Sequence, residues 1–333
     1  KRLAAARQEH SIWRHLGKHT HCVRLFEVFM EDLMHFAVME LLECSLMDNL
    51  EKFPKMCETA IAHMLRDMLL GLEYVHGRRV VHRDIKPSNF LICTLGERAV
   101  VKLGDFGMAA KLPRHGGKLT GCYGTAPYMS PEMCASWGHD QSTDIWSFGA
   151  TAYVLLCGNF PYLPTEMNSK AMKLAILSGA CRPTFTRPRG CQKASKQLEA
   201  FLPRLLERSP ARRCTAELAL RLPFVCKETQ DACAWTEQLF RRSEAVEGEV
   251  ASARSGSSTI RRACAEAPFR PAEATQASTV QKTLDELLES LKHRGQSVLH
   301  RSFSEPDMRA MCTEEREEDE ECMQGLPRGR THA

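Results

Sequence analysis

Two carboxylates and one amide in this chain have the types and the order that phosphoryl transfer needs. Asp84 lies in Val81-His82-Arg83-Asp84-Ile85-Lys86-Pro87-Ser88-Asn89, and Asp105 follows in Gly104-Asp105-Phe106-Gly107. Such chemistry uses one carboxylate to orient a substrate hydroxyl, and a second carboxylate with an amide oxygen to hold Mg2+ against triphosphate oxygens. Asp84, Asp105 and Asn89 would supply those groups. Either run alone is a weak signal, because turns collect polar residues of these kinds; the ordered pair carries the reading.

Regular elements must present these residues, and the chain offers them in sequence. Leu3 to Leu16 favour helix, with Ala4, Ala5 and Ala6 and no proline. Val23 to Met30 and His35 to Leu41 are rich in Val, Phe and Met around polar Glu31 and Asp32, a pattern that predicts an antiparallel hairpin. Ile61, Met64, Leu65, Met68, Leu69 and Leu72 recur at offsets of three and four. A long helix with one apolar stripe should therefore end near Gly77 and deliver Asp84 just beyond it. Phe90 to Cys93 and Ala99 to Leu103 read as a strand pair with Asn89 at one end and Asp105 at the other. Further helices are predicted over Ser142 to Leu156, Met167 to Leu177, Ser195 to Leu206 and Thr215 to Leu222, separated by Pro- and Gly-containing turns. Beyond about residue 230 the composition turns to Ser, Ala, Glu and Arg with few aromatics, which predicts disorder. The exception there is Val280 to Leu291, where Leu284, Leu287, Leu288 and Leu291 form one apolar face.

With 333 residues, 43% hydrophobic and 26% charged, the chain can bury a sizeable core. Its net charge of +4 gives no argument for nucleic acid or for an anionic membrane surface. No apolar run approaches the roughly 20 residues that cross a bilayer, and the N-terminus has no charged-then-apolar secretion pattern. The 15 cysteines include no Cys-x-x-Cys spacing and are odd in number, so neither a zinc site nor a closed disulfide framework is supported. A cytoplasmic or nuclear protein is expected.

The runs around Asp84 and Asp105 resemble the catalytic loop and metal-binding loop of eukaryotic protein kinases, with Ile85 in place of the commoner leucine. The resemblance covers roughly residues 3 to 228 and implies an α+β, bilobal fold with a mainly helical C-lobe, followed by a tail from 229 to 333. It implies ATP and Mg2+ as cofactors, Asn89 and Asp105 as metal ligands, and Asp84 as the group that orients the substrate hydroxyl. Lys86 resembles the lysine that steadies the transferred phosphoryl group in serine/threonine kinases. Gly124-Thr125-Ala126-Pro127-Tyr128-Met129-Ser130-Pro131-Glu132 resembles the end of the activation segment, in which Thr125 would contact the catalytic loop. By the same resemblance Glu132 would pair with Arg213, and Asp144 would anchor the catalytic-loop backbone. Phe106, His82, Leu25 and Trp13 would form an apolar column between the lobes. Met39 resembles the gatekeeper, Glu40 and Leu42 the hinge that meets adenine, and Leu91 the floor beneath the base. The run Trp146-Ser147-Phe148-Gly149 with Phe160-Pro161-Tyr162 is similar to the calmodulin-dependent group. Arg83 resembles an arginine that pairs with an activation-segment phosphate, for which Thr120 leads and Tyr123 is the alternative.

Part of the family pattern is missing. Glu9 matches the helix glutamate of the N-terminal lobe, but no glycine-rich strand-turn and no strand lysine precede it. Lys1 would lie on the same helix, about 12 Å along its axis. We expect a sheet truncated just before this helix, with the nucleotide clamp in a longer chain; a non-catalytic kinase-like scaffold is the alternative. Protein substrates are the expected partners. In the tail, Arg301-Ser302-Phe303-Ser304-Glu305-Pro306 resembles a motif read by fourteen-three-three adaptor proteins when Ser304 carries phosphate.

Overall fold

A computed structural model describes residues 2–226, apart from 32–33, 51–52, 96–97, 115, 165–167, 181–182, 186 and 188–192. Lys1, the predicted tail, its 280–291 helix and the Ser304 motif lie outside the described residues.

The first helix, α1 (Arg2–Leu16), buries Ile12, Trp13 and Leu16. Those positions stand three, four and seven residues after Glu9, so Glu9 shares the inward face and is half-buried. A hairpin follows, β1 (Leu25–Glu31) against β2 (Met34–Met39), with a register shift between Leu25 and Glu27. The first strand starts two residues later than expected because Val23 belongs elsewhere. Its N–H donates to the Leu103 carbonyl at 2.9 Å, and Leu103 N–H donates to the His21 carbonyl at 2.9 Å.

β3 (Cys44–Ser45), β5 (Phe90–Leu95) and β6 (Arg98–Leu103) form an antiparallel sheet in the order β3-β5-β6. A second small pair joins β4 (Val80–Val81) to β7 (Ala110–Lys111). β3, β4 and β7 have two residues each, too short for alternation to announce them.

The helical body is built around α2 (Glu58–Gly77) and α4 (Ser142–Cys157). On α2 the predicted stripe Ile61, Met64, Leu65, Met68, Leu69 and Leu72 is wholly buried. α4 is buried from Thr143 through Cys157 and ends at Gly158 with φ 68°, a left-handed stop that glycine adopts freely. Four shorter helices complete it with α3 (Pro131–Cys134): α5 (Ser169–Ser178), α6 (Lys196–Leu205), α7 (Ala216–Leu220) and α8 (Pro223–Cys226). Asn168, Ser195 and Thr215 are N-caps, each accepting a bond from the N–H three residues on, so these helices start after the predicted residues. The fold is α+β, as expected.

The upper elements meet the helical body through backbone contact at one point. A Cβ on Gly71 of α2 would stand 2.5 Å from the His21 carbonyl oxygen, a distance that only glycine avoids. Cys22 Sγ also donates to the Gly71 carbonyl, at 3.7 Å.

Candidate functional site

The loop between β4 and β5 carries Asp84, and α4 fixes it from below. Asp144, in the first turn of α4, is fully buried. It accepts the His82 N–H at 2.8 Å on Oδ2 and the Arg83 N–H at 2.9 Å on Oδ1. His76 Nε2 bonds the same Oδ2 at 2.9 Å. Burial alone pushes the Asp144 carboxyl up, but the His76 hydrogen bond and the charges of His76 and His82 outweigh it and hold the group below its ordinary range. This anchor holds Arg83 at φ 69°, a left-handed conformation that a side chain pays to adopt.

Around Asp84 four polar groups converge. Oδ1 accepts from the Thr125 N–H at 3.1 Å and from Thr125 Oγ1 at 2.9 Å. Oδ2 faces Lys86 Nζ at 2.8 Å and Asn89 Nδ2 at 3.3 Å. Lys86 Nζ also donates to Thr125 Oγ1 at 2.8 Å, so that hydroxyl gives one bond and receives another. Asn89 Nδ2 donates to the Asp84 carbonyl at 2.7 Å, which turns its amide oxygen to the opposite side, toward Ser88 Oγ at 3.4 Å.

His82 connects this loop to Asp105. Its Nδ1 accepts the Asp84 N–H at 3.4 Å, which leaves the proton on Nε2 to bond the Gly104 carbonyl at 3.0 Å. The Phe106 ring lies 5.3 Å from His82 and 5.8 Å from Trp13, and Trp13 Nε1 donates to the Val23 carbonyl at 2.7 Å. Of the expected column, the Trp13–Phe106–His82 ring contacts are present, and Leu25 is partly buried against the same hydrophobic core. Asp105 itself is exposed at φ 57°, with Oδ1 accepting the Gly107 N–H at 3.2 Å.

Glu9 arrives from α1 on the other side of Gly107: a Cβ there would stand 3.2 Å from Asp105 Oδ1 and 3.6 Å from Glu9 Oε2. Burial first, and the negative charge of Asp105 second, raise the Glu9 carboxyl above its ordinary value. Two carboxylates thus face one space. The outward amide oxygen of Asn89 and the Asp105 carboxylate make an oxygen-only donor set, which suits Mg2+, an ion that keeps several waters and bridges phosphates. The residues present fit that ion.

Met39, Glu40 and Leu42 run along the link from β2 to β3. Glu40 N–H donates to the Arg24 carbonyl at 3.0 Å, and its carboxylate pairs with Lys102 Nζ at 2.8 Å. Glu43 N–H reaches the Ile92 carbonyl at 2.9 Å, and Ser45 lies opposite Leu91. This pairing brings the link beside Leu91, and Leu91 is two residues from Asn89. Met39 is 52% exposed, a surface side chain among the described residues rather than core. Gly104 lets Val23 and Leu91 close in on the main chain: a Cβ there would meet Val23 Cγ2 at 2.9 Å and Leu91 Cδ1 at 3.2 Å.

Further out, Arg213 grips Glu132 through two bonds of 2.6 and 3.0 Å, with both side chains almost wholly buried. Its remaining donors reach the carbonyls of Glu207 at 2.8 Å and Ser142 at 2.7 Å, so the expected pair is fully satisfied. His76 and Lys102 were not foreseen from the sequence. Each meets its partner across more than sixty residues, and neither sits in a motif.

A family model described as protein kinase domain matches residues 1–225. A serine/threonine-protein kinase PEPKR2 of Arabidopsis thaliana is 32% identical over 226 residues, 66% of this chain and 44% of that protein. Calcium/calmodulin-dependent protein kinase cmkA of Emericella nidulans is 32% identical over 214 residues, 63% of this chain and 50% of that protein. Mitogen-activated protein kinase kinase 3 of Arabidopsis thaliana is 35% identical over 200 residues, 59% and 37% of the two chains. The chain spans half or less of the length of each of these relatives. Its motifs, its α+β architecture and the family match agree: the chain belongs to the protein kinase family.

Proposed function

We propose that this chain carries the phosphoryl-transfer centre of a serine/threonine protein kinase, moving the γ-phosphoryl group of ATP to protein hydroxyls. The observation that carries the reading is the convergence of Thr125, Lys86 and Asn89 on the Asp84 carboxylate. Asp84 already accepts as many bonds as its two oxygens readily hold. A substrate hydroxyl therefore replaces the longest of them, the 3.3 Å contact from Asn89, and is oriented by Oδ2. Lys86 reaches the carboxylate and Thr125 at once on a flexible stem, so it turns to the transferred group while Thr125 keeps Asp84 aimed. Asn89 and Asp105 would hold Mg2+, which neutralises charge on the phosphates when bound. Positioning and electrostatics supply the acceleration in this kind of transfer.

In this reading the backbone of Glu40 and Leu42 meets the adenine, Met39 is the gatekeeper, and Leu91 lies beneath the base. Glu9, whose carboxyl is raised by burial and by Asp105, is the acidic group on this side that a cation at the nucleotide would complement. Residues 1–228 form the catalytic domain in this reading, and 229–333 a tail whose phosphorylated Ser304 binds an adaptor protein. Binding of the adaptor to wild-type and Ser304→Ala tails alike would refute the adaptor part. A cytoplasmic or nuclear location belongs to the same reading; burial pushes the thiols of Cys22, Cys134 and Cys157 up to about 12 and so keeps them inert. Relatives with three different names match about equally well, so the calmodulin-dependent group remains one option within the family.

The test is phosphate transfer from Mg·ATP to a serine/threonine substrate by full-length protein, beside Asp84→Asn. A loss of about a hundredfold or more in the variant is expected. Equal transfer by both proteins overturns the assignment of Asp84.

A further inference from the structure

Arg83, next to Asp84, ties the segment 105–132 to the loop through partners that carry no charge. Its Nε donates to the Met108 carbonyl at 2.6 Å, near the start of that segment. Near the end, the Tyr123 ring lies flat against the guanidinium, with Arg83 Cζ 3.8 Å from the ring centroid. One residue on, Gly124 has φ 99°, and a Cβ there would collide with the Arg83 carbonyl oxygen. The chain turns on Gly121 to make this possible. Gly121 has φ 96°, and a Cβ there would stand 2.6 Å from Tyr123 Cε2. Any other residue at 121 would push the ring off the arginine.

We propose that Tyr123 is a positioning residue whose ring, held on Arg83, seats the 105–132 segment over Asp84 without any phosphate on that segment. Thr125, which bonds Asp84 directly, follows Tyr123 by two residues, so a displaced ring also loosens the Thr125 contacts. The ring supplies a cation–π attraction to the guanidinium, and the Tyr123 side chain also hydrogen-bonds Arg83. Phenylalanine at 123 therefore keeps the aromatic part of the clamp, and leucine removes both parts. Thr120, exposed upstream of the clamp, becomes dispensable. The inference rests on the phosphoryl-transfer reading of Asp84 for its activity readout, and a second readout is independent of it.

The experiment uses phosphatase-treated full-length protein and its Y123F, Y123L and T120A variants, with D84N as the inactive control. Transfer from Mg·ATP to a serine peptide is measured, and so is tryptic cleavage at Lys111, Arg114 and Lys118. Parent, Y123F and T120A should transfer within about twofold of one another, while Y123L loses about tenfold in kcat and is cleaved correspondingly faster in the segment. Loss of activity on phosphatase treatment overturns the proposal, as does a Y123F variant as slow as Y123L. If the parent transfers no more than D84N, the reading of Asp84 fails. Cleavage then decides the clamp alone: faster cutting in Y123L than in Y123F upholds it, and equal cutting refutes it.

Discussion

The Arg213–Glu132 pair is the single interaction whose removal has the plainest consequence. Both groups are desolvated, and their mutual bonds and the carbonyls of Glu207 and Ser142 are what make that burial tolerable. Arg213→Ala leaves an uncompensated carboxylate in the interior and should cost about 3–5 kcal/mol, read as a lowered urea midpoint. An unchanged midpoint would mean that water reaches Glu132. Asp84, Lys86, Asn89 and Asp105 were legible from sequence because each lies in a short run whose order is itself a signal. Of the groups that hold them, Thr125 and Asp144 were legible from their motifs too, but the distant partners were not. Asp144 meets His76 over 68 positions, Lys102 meets Glu40 over 62, and Tyr123 meets Arg83 over 40; pairings of that span leave no periodic trace.

Among the elements, α1 depends most on one side chain. Trp13 contacts Phe106, donates to the Val23 carbonyl and is 5% exposed, so it joins α1 both to the β1 side and to the Asp105 loop. Trp13→Ala should destabilise the fold by about 3–5 kcal/mol. It should also weaken Mg·ATP binding, because Glu9 rides on the same helical face; calorimetry of the variant beside the parent checks both. The long helices were read well: the apolar stripe of α2 placed its end at Gly77, and α4, buried throughout, was predicted to within one residue from its bounding turns. The misses were β3, β4 and β7, whose existence is decided by partners far along the chain, and the early residues of β1, where pairing with Leu103 overrides a local preference for the hairpin.

At the scale of the whole molecule, acidity acts through buried imidazoles. His19, stacked at 3.9 Å on Tyr74, is lowered from 6.5 to about 4, by burial first and then by the positive His21, Arg78 and Lys102. His139 is lowered as well, by burial and by Arg83. Each takes up its proton at lower pH in the folded chain than in the unfolded one, so the contribution of these two groups is full above pH 6.5 and falls as pH drops, for His19 toward 4, while the raised Glu9 works in the opposite sense near its ordinary 4.5. Asp144 does not contribute in that window, because its stabilisation is lost only below its ordinary 3.8. The urea midpoint should therefore decline between pH 7 and 4.5, with a shallower slope in His19→Gln; parallel slopes would exclude His19 as a source. No described helix is long and apolar enough to cross a membrane. The bare contact of Gly71 with His21 has a mechanical outcome. Because α2 lies this close to the main chain at His21, any side chain at position 71 would drive α2 away from residues 21–23 and from the end of β6 that they pair with, so Gly71→Ala should loosen the seat of the Asp105 loop as well as the helix.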